Sequence, residues 1–143
     1  MNLSTNPPLG PNGPATDEEI RAAEAQMGRA LPEPLKRLLL TKDGGVFERH
    51  YWLQHDGDTW VAVEELLSLK DIVDSALDVE QHCPSLGLKI PFAIDGGGNL
   101  WFLDADELTV SMIFLDDDQP DERPTGLQLD EFLTSLLKDE PAL

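Results

Sequence analysis

The sequence predicts an α+β fold: an antiparallel β-sheet of about five or six strands, covered by an N-terminal helix pair, a middle helix and a C-terminal helix. Three observations carry this. Short apolar runs bounded by Gly, Asp or Asn recur between Val46 and Leu115, the mark of strands joined by tight turns. Stretches with helical spacing of apolar residues, each with its own start or stop signal, lie before, within and after those runs. The resulting order is helix pair, strands, helix, strand meander, helix, which segregates helices from an antiparallel sheet instead of alternating them with parallel strands.

In chain order, residues 1–14 hold four Pro, two Gly and three Asn, with little to bury, and are expected to be a flexible tail. A single domain is expected over residues 15–143. Thr16 and Glu19 have capping-box spacing; Ile20, Ala23 and Met27 then share one helical face, and Gly28 supplies a stop. Leu31-Pro32 reopens the chain into a second helix with Leu35, Leu38 and Leu39 as its buried stripe, ended by Gly44-Gly45. The two helices should form a hairpin on the sheet. Val46–Leu53 and Thr59–Val63 read as strands around His55-Asp56-Gly57-Asp58, where Asp-Gly is a tight-turn signal. Ser68, with Asp71 three residues on, starts a middle helix whose apolar face is Leu69, Ile72, Val73 and Ala76; Pro84 limits it. Lys89–Leu103 is the central hairpin: Ile90, Phe92 and Ile94 alternate before a glycine turn, and Leu100–Leu103 is apolar throughout. Thr109–Leu115 adds a third strand, Asp116–Gly126 reads as a charged loop, and Phe132, Leu133, Leu136 and Leu137 mark a last amphipathic helix.

The central hairpin also carries a resemblance. Pro91-Phe92-Ala93, Asp95-Gly96-Gly97-Gly98-Asn99 and Phe102-Leu103-Asp104 together resemble the core motif of the SUKH (Smi–Knr) superfamily. Glu18-Glu19-Ile20, Glu24, Gly28, Leu31-Pro32 and Gly44-Gly45 are similar to that family's opening. The likeness runs in the same order over about residues 16–137, on motifs that are structural. Where the family often has Asn before its first Gly pair, this chain has Asp43, which supports the same turn. The resemblance implies an α+β domain and, for a short chain, an immunity protein that binds and blocks a toxin. The family's other branch implies an intracellular regulatory or scaffold protein that binds several partners.

Composition sets outer limits. At 143 residues with 41% hydrophobic content, the chain can bury roughly two-thirds of its unfolded surface. It shows no apolar run near the ~18 residues of a membrane span and no basic-then-apolar leader. The single cysteine, Cys83, excludes an internal disulfide and suits a reducing, cytoplasmic compartment. The formal charge is −18, and between Lys89 and Arg123 there are nine acids and no Lys or Arg. Such a surface repels nucleic acid and anionic lipid and steers basic proteins inward; solubility is the plainer role for the same charge.

The candidate sites read as structural positions. Gly96-Gly97-Gly98 lacks the following helix and Lys of a phosphate loop, and Asp95 has the wrong sign, so it reads as a hairpin turn. His50, His55 and His82 lack zinc spacing. Cys83 beside His82 is no nucleophile–base pair, since neighbouring helical side chains diverge. Counting from Asp116 as a calcium loop puts Asp121 at the sixth position and Leu127 at the twelfth, where Gly and Glu are needed. Glu64-Glu65 has no visible pocket to set an acid–base pair apart. No catalytic residue, metal or cofactor is therefore expected. A binding module is, with a basic protein partner and a docking face drawn from Asp56, Asp58, Asp116, Asp117, Asp118, Asp121 and Glu122, flanked by Tyr51 and Trp52. Aromatics beside acids make binding anchors, although at least two of Tyr51, Trp52 and Trp60, and Trp101 too, are assigned to the core.

Overall fold

Thr16 opens the first helix as its spacing predicts. In the computed structural model, which describes residues 6, 8–49, 51–53, 60–87, 89–115 and 120–137, its hydroxyl accepts from the Glu19 amide at 3.1 Å. Glu19 Oε1 accepts from the Thr16 amide in return, also at 3.1 Å, which satisfies donors that a helix start leaves open. This helix, α1 (Asp17–Met27), buries Ile20, Ala23 and Met27 and ends at Gly28 in the left-handed region, φ 74°. α2 (Glu33–Thr41) buries Leu35, Leu38 and Leu39. α3 (Leu69–His82) starts where the Ser68 hydroxyl accepts from the Asp71 amide and stops ahead of Pro84, whose ring cannot continue it. α4 (Leu129–Ser135) buries Leu129, Phe132 and Leu133. The two N-terminal helices are tied through Glu24, whose carboxylate accepts from the Leu31 amide at 2.7 Å and pairs with Lys36 at 3.4 Å. The main packing partner of α1, however, is α3, and the Arg29 guanidinium reaches the Gly87 carbonyl beyond it.

Seven strands make one antiparallel sheet in the order β1-β2-β5-β6-β7-β8-β9. They are β1 (Pro8–Leu9), β2 (Gly45–Phe47), β5 (Glu65–Leu66), β6 (Lys89–Ile94), β7 (Leu100–Asp104), β8 (Thr109–Phe114) and β9 (Asp121–Gln128). β3 (Tyr51–Leu53) and β4 (Trp60–Ala62) pair separately. The strand expected over Val46–Leu53 is thus divided between two sheets. Phe47 and Trp52 explain the break: five positions apart, they would face opposite sides of one straight strand, yet both belong to the same core.

Two further segments differ from expectation. Most of the charged loop is strand β9, paired along β8 and fixed by the buried Thr125, whose hydroxyl donates to the Val110 carbonyl at 2.8 Å. As an edge strand it tolerates Pro124, which has no amide to donate. The stretch expected as a tail joins the fold: Pro8 and Leu9 pair with Phe47 and Val46, and Asn6 is 2% exposed. Gly45 permits that pairing, because at φ 147° a Cβ there would lie 2.7 Å from the Leu9 carbonyl oxygen.

The central strands are covered on both sides. Trp101 stacks on Phe132 of α4 at 4.8 Å between ring centroids and meets Trp52 edge-on at 5.8 Å. Its neighbour Phe102 clusters instead with Ile113, Val79 of α3 and Leu86. Successive strand residues point to opposite faces, so α4 covers one face and the C-terminal half of α3 the other. That is why the interior residues of β6, β7 and β8 are buried without alternation.

Candidate functional site

The glycine turn between β6 and β7 is organised by Asp95. Its Oδ1 accepts from the amides of Gly97 at 2.9 Å and Asn99 at 2.8 Å, and Oδ2 accepts from Asn99 Nδ2 at 3.1 Å. Two amides of the turn are thus directed onto a carboxylate of the turn itself. This is an Asp-stabilised hairpin turn.

Of the acids predicted for the docking face, two lie among the described residues, both on β9. Asp121 Oδ2 is 2.9 Å from the Arg123 guanidinium, and this hydrogen bond lowers its carboxyl below the usual range while raising Arg123. The adjacent Glu122 is turned to the other face, where Oε1 accepts from the Ser111 hydroxyl and lies 3.1 Å from Lys89 Nζ. Lys89 also reaches Asp104 Oδ2 at 3.1 Å. Burial works against the Lys89 ammonium, but hydrogen bonds and charge from Glu122 and Asp104 outweigh it, and its pKa is raised. Asp104 is lowered, first by the Glu107 amide bonded to its Oδ1 and then, against burial, by Lys89 and the Asp106 amide. Asp121 and Glu122 are therefore locally neutralised. Asp56, Asp58, Asp116, Asp117 and Asp118, and with them His50 and His55, lie outside the described residues.

The aromatic candidates divide. Trp52 is 7% exposed and part of the Trp101–Phe132 stack; it is core. Tyr51 is half-buried and exchanges backbone hydrogen bonds with Leu137 at 3.0 and 2.7 Å, so β3 is pinned to the chain leaving α4. Trp101 is fully buried, its indole N–H donating to the Ala62 carbonyl at 3.0 Å. His82 pairs with Asp78 on the surface of α3, and the half-buried Cys83 caps that helix beside Val79 and Leu86. Among the described residues, no three His, Cys, Asp or Glu side chains come close enough together to hold a metal ion.

A cleft lies between α1 and α3, with Glu19, Asp43, Lys70 and Asp74 at its rim. Two of those acids already hold helix starts: Glu19 closes its capping box, and Asp43 Oδ1 accepts from the Leu69 amide at 2.6 Å. It is an open seam between helices.

Sequence reasoning passed over one pair that the fold makes conspicuous. Glu64 and Glu65, considered and set aside as an acid–base pair, are both exposed, and no salt bridge joins either to a cation among the described residues. Glu64 lies against the glycine turn, its Oε1 2.9 Å from where a Gly96 Cβ would be. Glu65 sits in register between Val46 and Ile94. Two adjacent acids at a strand start were the only local signal; their surroundings are set by strands distant in sequence.

An antiparallel sheet whose central strands are covered by helices on both faces defines an α+β domain. The chain belongs to the SMI1 / KNR4 family (SUKH-1), whose model matches residues 14–135. A search among curated proteins returns no match. No helix among the described residues is long and apolar enough to cross a membrane.

Proposed function

We propose that this chain is an immunity protein of a polymorphic toxin system, which binds a basic toxin, a nuclease being the chemistry best suited, and blocks it stoichiometrically. The observation that carries this reading is the charge, −18 in 143 residues, on a fold whose family includes immunity proteins. A nuclease holds a basic cleft for its substrate, and an acidic surface of this size occludes such a cleft. In this reading the acids of 116–122 and of the turn at 56–58 supply the long-range field that sets the association rate, beside Tyr51. Asp121 and Glu122, already paired with Arg123 and Lys89, add to that field more than to contacts.

A tagged pull-down from the native cell, washed at low and then moderate salt, tests it. One basic polypeptide retained in stoichiometric amount, whose toxicity on expression is relieved by this chain, is the expected result. A broad set of basic proteins released together by salt would favour instead a regulatory or scaffold protein with several weak partners.

A further inference from the structure

One surface combines features that the other exposed patches lack. Among the described large apolar residues, Leu9 and Val46 are the most exposed, at 49% and 51%. They are cross-strand partners, Leu9 opposite Val46, so their side chains stand together on one face. Leu40, Leu77 and Leu137 are also exposed, but they lie on α2, on α3 and after α4, where single apolar residues are ordinary.

The register continues the row. Val46 is opposite Glu65, Glu65 opposite Ile94, and Ile94 opposite Leu100. A directly opposed chain of pairs keeps every member on the same face, so five strands contribute one line reading Leu, Val, Glu, Ile, Leu. Exposure falls along it from the bare β1 end to half-buried Ile94 and Leu100; Ile94 packs against the main core, and Leu100 also meets the cluster of Val79, Leu86 and Phe102. The helical cover therefore stops partway across this face. The uncovered part carries Glu65 within the row, bridged to no cation among the described residues.

We infer that the row Leu9–Val46–Glu65–Ile94 is a docking surface for a protein segment that presents apolar side chains flanked by Lys or Arg. Charge complementarity selects this occupant. The carboxylate of Glu65, bridged to no cation among the described residues and set between aliphatic side chains, favours a partner that buries the apolar row and supplies a cation. A second copy would bring another acidic surface of the same sign and would be repelled by the net charge of −18. This deepens the toxin-binding reading: the field of the acidic segments sets the approach, and this row sets the lifetime of the complex.

The test uses the full chain, labelled with ¹⁵N, and two short synthetic peptides, one alternating Lys with Leu and one alternating Lys with Ser. The Lys/Leu peptide should shift the amides of Leu9, Val46, Glu65 and Ile94 first, and the Lys/Ser peptide should bind about tenfold more weakly, since apolar contact is absent. V46T with E65Q, both exposed and conservative for a strand, should weaken the Lys/Leu peptide by about tenfold as well. Shifts spread over all acidic segments alike for both peptides, or binding unchanged in the double variant, would overturn the proposal. So would a peptide-free dimer, seen by sedimentation and lost in V46T, since the row would then hold a second copy. The wild-type map stands even where a variant unfolds. Failure of the pull-down with a positive map removes the toxin and leaves the surface; the converse removes the surface and leaves the toxin.

Discussion

Asn6 Nδ2 donates to the Leu133 carbonyl at 3.0 Å, joining residues 127 positions apart. The same amide group donates to the Arg49 carbonyl at 2.9 Å, and Asn6 Oδ1 accepts from the Arg49 amide at 2.9 Å. Leu133 lies in the last turns of α4, where helix carbonyls lack an internal partner. One side chain therefore fastens the N-terminal segment, the chain after β2 and the end of α4.

Asn6→Ala should lower stability by about 2 kcal/mol, because buried backbone groups of Arg49 and Leu133 lose their partners. Asn6→Asp should cost more, since a carboxylate would replace the donor that faces two carbonyls. Denaturant midpoints of both variants check this, and a change within a few tenths of a kcal/mol for Asn6→Ala would show that the N-terminal segment is not fastened.

The aromatic stack gives a second expectation. Trp101→Ala should cost about 4 kcal/mol, the usual range for a large aromatic removed from a core. Trp101→Phe keeps most of the contact with Phe132 but leaves the Ala62 carbonyl without its indole donor, and should cost about 1–2 kcal/mol. Trp52→Ala should also act on the unfolding midpoint, in keeping with its place on Trp101. A Trp52→Ala variant of unchanged stability would return this residue to the surface.

What the sequence made legible were features that local chemistry determines. The Thr16–Glu19 box, the Ser68 cap, the stripes of α1, α2 and α3 and the central hairpin all follow from spacing within a few residues. What escaped was set by distant partners. β9 reads Asp-Glu-Arg-Pro-Thr-Gly, a loop by composition, and becomes a strand because β8 offers an open edge and Thr125 reaches Val110. β1 is made by Gly45, which lets Leu9 come close. In the candidate site, charge was visible but its neutralisation was not: Lys89 is remote in sequence from Glu122, and nothing near Glu64 and Glu65 announces that no cation among the described residues bridges them.

Net charge should make stability depend on salt in an uncommon direction. Raising ionic strength from about 0.01 M to 0.15 M shortens the screening length from about 30 Å to 8 Å, relieving repulsion in a chain of charge −18. The melting temperature at neutral pH should rise by about 3 °C, equivalent to about 1 kcal/mol. The effect should shrink toward pH 4 as exposed carboxylates take up protons. A fall with salt would mean that attraction, at Lys89 and Arg123, outweighs repulsion.

The Lys89 cluster should give stability two separate pH limits. Asp104 is held below its ordinary 3.8; a lowered folded-state value contributes stability that is present above the unfolded value and lost as pH falls through the folded one. Lys89 is raised above 10.5, so its contribution is present below that value and lost as pH rises through its folded pKa. Asp104→Asn should cost about 1–2 kcal/mol near neutral pH, where the carboxylate accepts from two turn amides and Lys89. The difference from the parent chain should hold between about pH 5 and 9 and close below about pH 3.8. Lys89→Met should cost about 1 kcal/mol at neutral pH by leaving Asp104 and Glu122 without their shared cation, and its difference should close at the alkaline end as Lys89 loses its proton as well as in acid as the carboxylates gain theirs. Urea midpoints across pH for the three proteins separate the two limits. An Asp104→Asn deficit that persists at about pH 2 would show that the loss comes from the turn's hydrogen bonds alone and not from the ionised carboxylate.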